Sequence, residues 1–512
     1  MTNDYADRVV VTAEQMRQIE GRIFAAGMPV AALMEKAAGL SAARIKQLYP
    51  IERVSQVGIL VGPGHNGGDA LVVARELHLS GYRVLLYRPI SKLKDLTGQH
   101  ARYAESLGIP SYEEIEPLLQ CDLIIDGLFG FGLERSISGK VAEAIERINK
   151  LNKAVVSIDI PSGIHTDTGE VLGVAIRATH TFCLGLWKLA FFQEEALEYI
   201  GTAERIDFGI PPQDVWAILS HPAPIQKIDK TIALEFLPLP RPLVTHKYKQ
   251  GHLLLICGSR RYAGGAILTG LGARASGVGM LSIAVPESLK HNLVNHLPDA
   301  LIIDCPETDT GAIDRLPSSV DLSKFKAVAC GPGLTTEAQS VVETVLKAEC
   351  PVVLDADGLN ILANLGTISS LSSRQAPTIL TPHFGEFKRL FPDLANSSAN
   401  RIMEVAEAAK QSGAIVLLKG ARTAIASPTD SLWLVAESTP ALARGGSGDV
   451  LTGLIGGLVA QTEITENSLA AAVATAAWWH SQAGILAARE RTELGVDAFT
   501  LSHYLLPAIS FF

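Results

Sequence analysis

Residues 443–461, ARGGSGDVLTGLIGGLVAQ, set glycines and a serine around one carboxylate, Asp449, and run into an apolar helical pattern. A helix N-terminus presents free N–H groups and a positive dipole end, and glycines let an anion approach them, so the stretch suits phosphate chemistry beside an acid. The other reading makes Asp449 or Ser447 a cap for the first-turn amides of an ordinary helix, and the stretch alone leaves both open. A second glycine-rich run, GPGHNGGDALVVAR, follows the strand-like VGILV, and Gly62, Gly64 and Gly67 spell G-x-G-x-x-G. The dinucleotide fingerprint also asks for an acid at the end of the next strand, where RVLLYR ends in Arg88, so an ordinary Rossmann site loses support. In its place His65, Asn66 and Asp69 put polar side chains into the turn. With Asp126 in LIIDGLFGFG and Asp159 in VSIDIPSG, Asp69 predicts three acids at one sheet edge, a cluster for a cation and for acid–base work. Each acid singly reads equally well as a loop cap.

The elements that must position these residues alternate. Residues 13–48 look helical, and from Val57 to about Gly209 short apolar strand patterns alternate with helical ones. That grammar predicts a parallel sheet covered on both faces, with ligands beyond the carboxyl ends of the strands. A proline-dense segment follows, and then the grammar repeats through HLLLICGS, KAVACGPGL, PVVLDADGLN, TILTPHFGEF and AIVLLKG. The organisation expected is a first domain over 1–225, a linker over 226–240 and a second α/β domain over 241–512.

With 512 residues and 47% hydrophobic content the chain has material for two cores. A net charge of −9 with interspersed signs lacks the basic footprint of a nucleic-acid or membrane-surface protein, leaving small-molecule substrates as the expected partners and a homo-oligomer open. The six cysteines show no CxxC pair, which predicts free buried thiols and no zinc site. The first residues lack a signal-peptide pattern, so the cytoplasm is the expected location. Residues 468–488, SLAAAVATAAWWHSQAGILAA, are uncharged and long, yet their polar residues favour a buried helix over a membrane span, with Trp478, Trp479 and His480 as core.

GPGHNGGDALVVAR, DGLFGFG and SIDIPSGIHTDTGEVLG together resemble the NAD(P)H-hydrate epimerase domain over roughly the first 220 residues. The resemblance implies a Rossmann-like fold and inversion at C6 of a hydrated nicotinamide ring. By it His65, Asn66, Gly67, Gly68, Asp69, the run Gly130, Phe131, Gly132, Leu133, Glu134, Arg135, Ser136, and Asp159 contact substrate. Asn66, Asp126 and Ser162 would hold potassium, and Asp159 would be the acid–base group. The family more often has asparagine at position 65 and glycine at position 70.

TPHFGE, LLKGART and ARGGSGDVLTG, in that order, resemble the ADP-dependent NAD(P)H-hydrate dehydratase domain over about residues 240–512, and the last is similar to the anion hole of ribokinase-like phosphotransferases. The resemblance implies a ribokinase-like α/β fold, with Asp449 as base and Gly265, Gly333, His383 and Asp449 facing the hydrated nucleotide. Lys419, Gly420, Ala421, Arg422, Thr423 and Gly448 would surround the adenine nucleotide, ADP or ATP, with Mg2+ expected. The function implied is bifunctional repair of hydrated NADH and NADPH: epimerisation, then dehydration of the S form at the expense of ADP. The alternatives are a ribokinase-class small-molecule kinase and a degenerate binding module in place of the first enzyme. His383 also reads as a turn residue and Lys419 as a solvated loop cation.

Overall fold

The computed structural model describes residues 4–395 and 400–510. It divides into two compact units, Met1–Ile225 and Gln226–Phe512.

In the first unit the strands β1 (Gln56–Val61), β2 (Arg83–Tyr87), β3 (Ser111–Tyr112), β4 (Leu123–Gly127), β5 (Ala154–Ile158), β6 (His180–Leu184) and β7 (Thr202–Ile206) form one seven-stranded sheet, ordered β3-β2-β1-β4-β5-β6-β7. All its neighbouring pairs are parallel. Period-2 alternation fills both faces. Val57, Ile59, Val61, Leu123 and Ile125 pack with Met34 and Ala38 of α2 (Val30–Leu48) and Val72 and Val73 of α3 (His65–Leu79). Leu60, Ile124 and Val155 pack on the other side with Ala144, Ile145 and Ile148 of α4 (Gly139–Asn149). Strand order reverses between β1 and β4, the position where open sheets of this kind form a crevice at the carboxyl edge. Ahead of the sheet, α1 (Ala13–Ala25) starts in a capping box between Thr12 and Gln15.

Residues 226–240, expected to be a linker, belong to the second unit. Strand β8 (Ile225–Ile228) joins its sheet, and α5 (Lys230–Glu235), capped by Asp229, places Ile232 and Ala233 in its core. The prolines that suggested a linker flank this apolar stretch without interrupting it.

The second sheet has ten strands: β8, β9 (His252–Ile256), β10 (Met280–Pro286), β11 (Leu301–Cys305), β12 (Ala327–Cys330), β13 (Val352–Leu354), β14 (Thr378–Leu380), β15 (Ile415–Leu418), β16 (Thr423–Ala426) and β17 (Leu432–Val435). Its order is β8-β17-β16-β15-β14-β13-β12-β9-β10-β11. From β11 to β15 the pairs are parallel, and β15-β16-β17 continue antiparallel. Two helices, α6 (Ala263–Ala275) and α8 (Ser447–Val459), press together backbone to backbone. A Cβ on Gly272 would lie 2.1 Å from the Val450 carbonyl oxygen, and one on Gly453 would lie 1.8 Å from that of Thr269. Residues 468–488 lie in α9 (Glu466–Arg491), whose alanines, Trp478 and Trp479 fill the second core. Among the described residues no helix is long and apolar enough to cross a membrane. All six cysteines are free and buried.

Because Gly453 lies directly against the α6 backbone, Gly453→Ala should overpack the second unit and cost about 1–3 kcal/mol or more. Denaturant unfolding of the full chain measures this, and an unchanged midpoint would mean that the two helices are not held this close.

Candidate active sites

In the first unit a cavity of about 640 Å³ opens at the carboxyl edge of the sheet. Asn66 and Asp69 of α3, Gly130 and Phe131 after β4, Asp159 after β5, and Lys188 line it. Arg17, Glu20 and Phe24 of α1 and Leu33 and Met34 of α2 complete the lining. Helix α3 begins at His65, with Gly64 as its N-cap, so His65, Asn66 and Asp69 stand in the first turns of a helix where a turn was expected. Glycine permits this early start: a Cβ on Gly67 would sit 1.9 Å from the Gly62 carbonyl oxygen, and one on Gly68 would sit 2.7 Å from Met34 Sδ. Gly67 and Gly68 therefore pack the helix and do not line the cavity. Gly132 and Leu133 line it, whereas Glu134, Arg135 and Ser136 lie beyond it on exposed loop.

Asp159 sits in the left-handed region at φ 71°, a conformation a non-glycine residue holds only where its surroundings enforce it. Its Oδ2 accepts from the Phe131 N–H at 2.9 Å and its Oδ1 from Lys188 Nζ at 2.7 Å, with 1% of the lysine side chain exposed. Burial by itself would lower the Lys188 pKa, but the charges of Asp159, Cys183 and Glu20 outweigh it and hold the ammonium above its usual range. Burial, with the Asp159 and Glu20 charges added, pushes Asp69 well above the carboxylate range. His65 is lowered by burial and by Lys94.

Asp126 does not join this group. It is fully buried, and its carboxylate accepts from Ser157 Oγ (2.8 Å), Ser162 Oγ (2.6 Å), the Ser162 N–H (2.8 Å) and the Leu128 N–H (3.2 Å). The expected cluster of three acids is thus divided, because Asp126 lies within β4, paired in register with Ser157 of β5, and is spent on pinning the turn after β5. Among the described residues no group of three or more histidines, cysteines or acids could hold a metal ion. Asn66 differs: both of its side-chain polar atoms are buried without a partner. An orphaned buried amide of this kind points to a ligand. The sequence reading missed Lys188 and Glu20. Lys188 announces itself only as a cation inside the apolar LGLWKLAFF, and Glu20 only as an acid on α1.

In the second unit the N-termini of α6 and α8 converge. The N-cap of α8 is Gly446, left-handed at φ 89° with no side-chain cap, so Asp449 stands free in the first turn and the capping alternative fails. A Cβ on Gly265 of α6 would lie 3.5 Å from Asp449 Oδ2 and 3.7 Å from the Gly333 nitrogen. Beside them Lys419 Nζ meets Asp355 Oδ1 at 2.7 Å, and Thr452 Oγ1 donates to Asp355 Oδ2 at 2.6 Å. Gly448 faces this pair, its Cβ position 3.4 Å from Lys419 Nζ. Burial, the Asp355 charge and, more weakly, that of Asp357 push Asp449 up to about 7, against the lowering pull of Lys419. Lys419 is held above its usual range because Asp355, Glu386 and Asp449 outweigh its burial, so it is no solvated loop cation.

His383 realises its local reading: it is the N-cap of α7 (Phe384–Leu390), Nδ1 accepting from the Gly385 N–H at 2.9 Å, in a capping box with Glu386. Its backbone pairs with Lys419, which keeps it at the neighbouring strand end. The run from Lys419 to Thr423 divides. Gly420 and Ala421 are exposed in the turn into β16, while Arg422 lines a separate cavity of about 510 Å³ with Ser438, Thr439, Glu437 and Arg489. His480, set aside as core, is buried as expected but also bonds at 3.0 Å to the carbonyl of Ser447, the first residue of α8, and burial lowers it to about 4. Asp355 and Asp357, with Ala356 between them at φ 48°, carry no role in the sequence reading, though their place after the apolar PVVL was a signal.

Residues 253–507 match the family described as NAD(P)H-hydrate dehydratase, and residues 30–190 match that described as YjeF-related protein N-terminus. The bifunctional NAD(P)H-hydrate repair enzyme Nnr of Synechocystis sp. is 56% identical over 98% of this chain and 95% of its own. The chain belongs to the family of bifunctional NAD(P)H-hydrate repair enzymes. The namesake from Thermosynechococcus vestitus is 52% identical over 98% of this chain and 97% of its own. A Bacillus subtilis structure described as ADP/ATP-dependent NAD(P)H-hydrate dehydratase, co-crystallised with ATP and Mg2+, is 32% identical over 53% of this chain and 93% of that one, with a TM-score of 0.44. The two family matches take in Asn66 to Lys188 and Gly265 to His480, the cores of the two sites, while Glu20 lies before the first match.

Lys188→Met keeps the length of the side chain and strips Asp159 of its buried counterion. The loss should be about 3–5 kcal/mol, read by denaturant unfolding. A loss below about 1 kcal/mol would mean that water already solvates the pair.

Proposed function

We propose that the first unit inverts C6 of hydrated NADH and NADPH and that the second dehydrates the S form, using ADP and giving AMP and phosphate. The observation that carries the reading is Asp449: an uncapped carboxylate between two helix N-termini, poised near neutrality beside the Lys419–Asp355 pair.

In the second unit Asp449 takes the proton of the 6-hydroxyl as that oxygen attacks the terminal phosphorus of ADP and AMP leaves. The amides at the α6 and α8 starts and Lys419 stabilise the charge that moves with the phosphoryl group. The ring nitrogen then expels phosphate by breaking C6–O, and loss of a C5 proton restores the ring double bond. Asp355 keeps Lys419 aimed, and His480 braces the first turn of α8. Gly265, Gly333 and His383 border the hydrated ring, and the Arg422 cavity takes the adenine nucleotide, whose charge Mg2+ would help to neutralise.

In the first unit Asp159 is the acid–base group, oriented by Phe131 N–H and Lys188. Of the three residues expected to hold potassium, the orphaned Asn66 amide fits a cation ligand, whereas Asp126 and Ser162 are bonded to each other and to their neighbours. Such an ion supplies positive charge beside the reacting ring. The built Asp159–Lys188 pair speaks against a degenerate binding module. Free buried cysteines throughout accord with the cytoplasm.

Two variants test the assignment. Asp449→Asn should lower dehydration about 100-fold or more with nucleotide still bound, and Asp159→Asn should do the same to epimerisation alone. The wild-type dehydration rate should climb with pH to about 7, where Asp449 becomes ionised, and level above it. Near-normal dehydration by Asp449→Asn at saturating nucleotide would remove the base, and a phosphorylated product that persists would make the second unit a kinase.

A further inference from the structure

Inversion at C6 needs proton transfer on two faces of the ring, because the hydroxyl departs from one face and water adds to the other. Asp159 enters the cavity from the loop after β5, fixed by Lys188 and Phe131 N–H. The part of the lining that α1 and α2 supply is apolar at Phe24, Leu33 and Met34. It carries one acid, Glu20 of α1, which falls outside the matched family region. Resting on the epimerase reading above, we propose that Glu20 is the second proton-transfer residue of the first unit, working on the ring face opposite Asp159.

The charged groups that act on Glu20 are Lys188 and Asp159 of the same cavity, Asp69 of α3, and Arg17 one turn earlier on α1. Burial, with Asp159 adding and Lys188 and Arg17 opposing, raises Glu20 to about 7, so both of its protonation states are populated near neutrality. The Glu20 acid gives its proton to the 6-hydroxyl as the ring-nitrogen lone pair breaks C6–O, and water leaves. A water on the other face forms the new C6–O bond and gives its proton to the Asp159 carboxylate, regenerating the nitrogen lone pair. The enzyme then holds Glu20 ionised and Asp159 protonated, the state that runs the reverse inversion. Exchange with solvent through the cavity mouth resets it.

The test follows conversion of the R hydrate of NADH to the S hydrate by chiral separation, with the full chain and no nucleotide. Glu20→Gln should lose about 100-fold in turnover with little change in KM, and the ionisation near 7 should vanish from its pH profile. Glu20→Asp, which keeps an acid, should recover part of the rate with the limb displaced. If Glu20→Gln proves unstable by denaturant unfolding, the Glu20→Asp profile decides, and an undisplaced limb overturns the proposal. Wild-type turnover and profile in Glu20→Gln, with Asp159→Asn inactive, would overturn Glu20 alone. Full activity in Asp159→Asn would overturn the epimerase reading itself.

Discussion

A lysine ammonium 2.7 Å from a buried aspartate anchors each unit: Lys188 on Asp159 in the first and Lys419 on Asp355 in the second. Burying such a pair is worthwhile only where hydrogen bonds complete it, and each has them, from the Phe131 N–H to Asp159 and from Thr452 to Asp355. Each pair also stands among more acids than one cation neutralises. Burial, against the pull of Lys188 and Arg17, lifts Glu20 to about 7, and burial with surplus negative charge lifts Asp449 to about 7, where an acid or base works best at neutral pH. The reactive groups thus take their character from burial and from the charges packed around them.

The backbone is built to bring these groups together. Asp159 and Ala356 lie in the left-handed region beside the two ion pairs, strain that the surrounding sheet edge must hold. Glycines do the complementary work. Gly67 lets α3 start against Gly62, and Gly453 with Gly272 lets α8 lie on α6 closely enough for both N-termini to reach one substrate. Larger side chains at these positions would widen the sites before they altered the chemistry.

Much of this was legible in the sequence because parallel strands advertise themselves. Unbroken apolar runs ending at Asp159 or at Lys419 give both the sheet and its functional edge. Side-chain direction was not legible. Asp126 and Asp159 look alike as strand-end acids, yet one lies inside its strand and faces serines while the other projects into a cavity. Lys188 looked like an apolar-run anomaly, and Glu20 depends on how α1 packs, which no local pattern encodes. The proline-dense boundary misled for a related reason, since prolines mark breaks between elements without showing that the residues among them, Ile228 and Ile232, are buried.

The central claim is that two independent acid–base sites, one in each unit, share the work of a single repair. It is tested most directly by giving the full chain an equilibrated mixture of R and S hydrates of NADH with ADP and following the restored dihydronicotinamide absorbance. The account predicts that all of the hydrate becomes NADH with the wild-type chain, and that with Asp159→Asn the enzymatic reaction ends when the S form is consumed. Complete conversion at an unchanged rate by Asp159→Asn would contradict it.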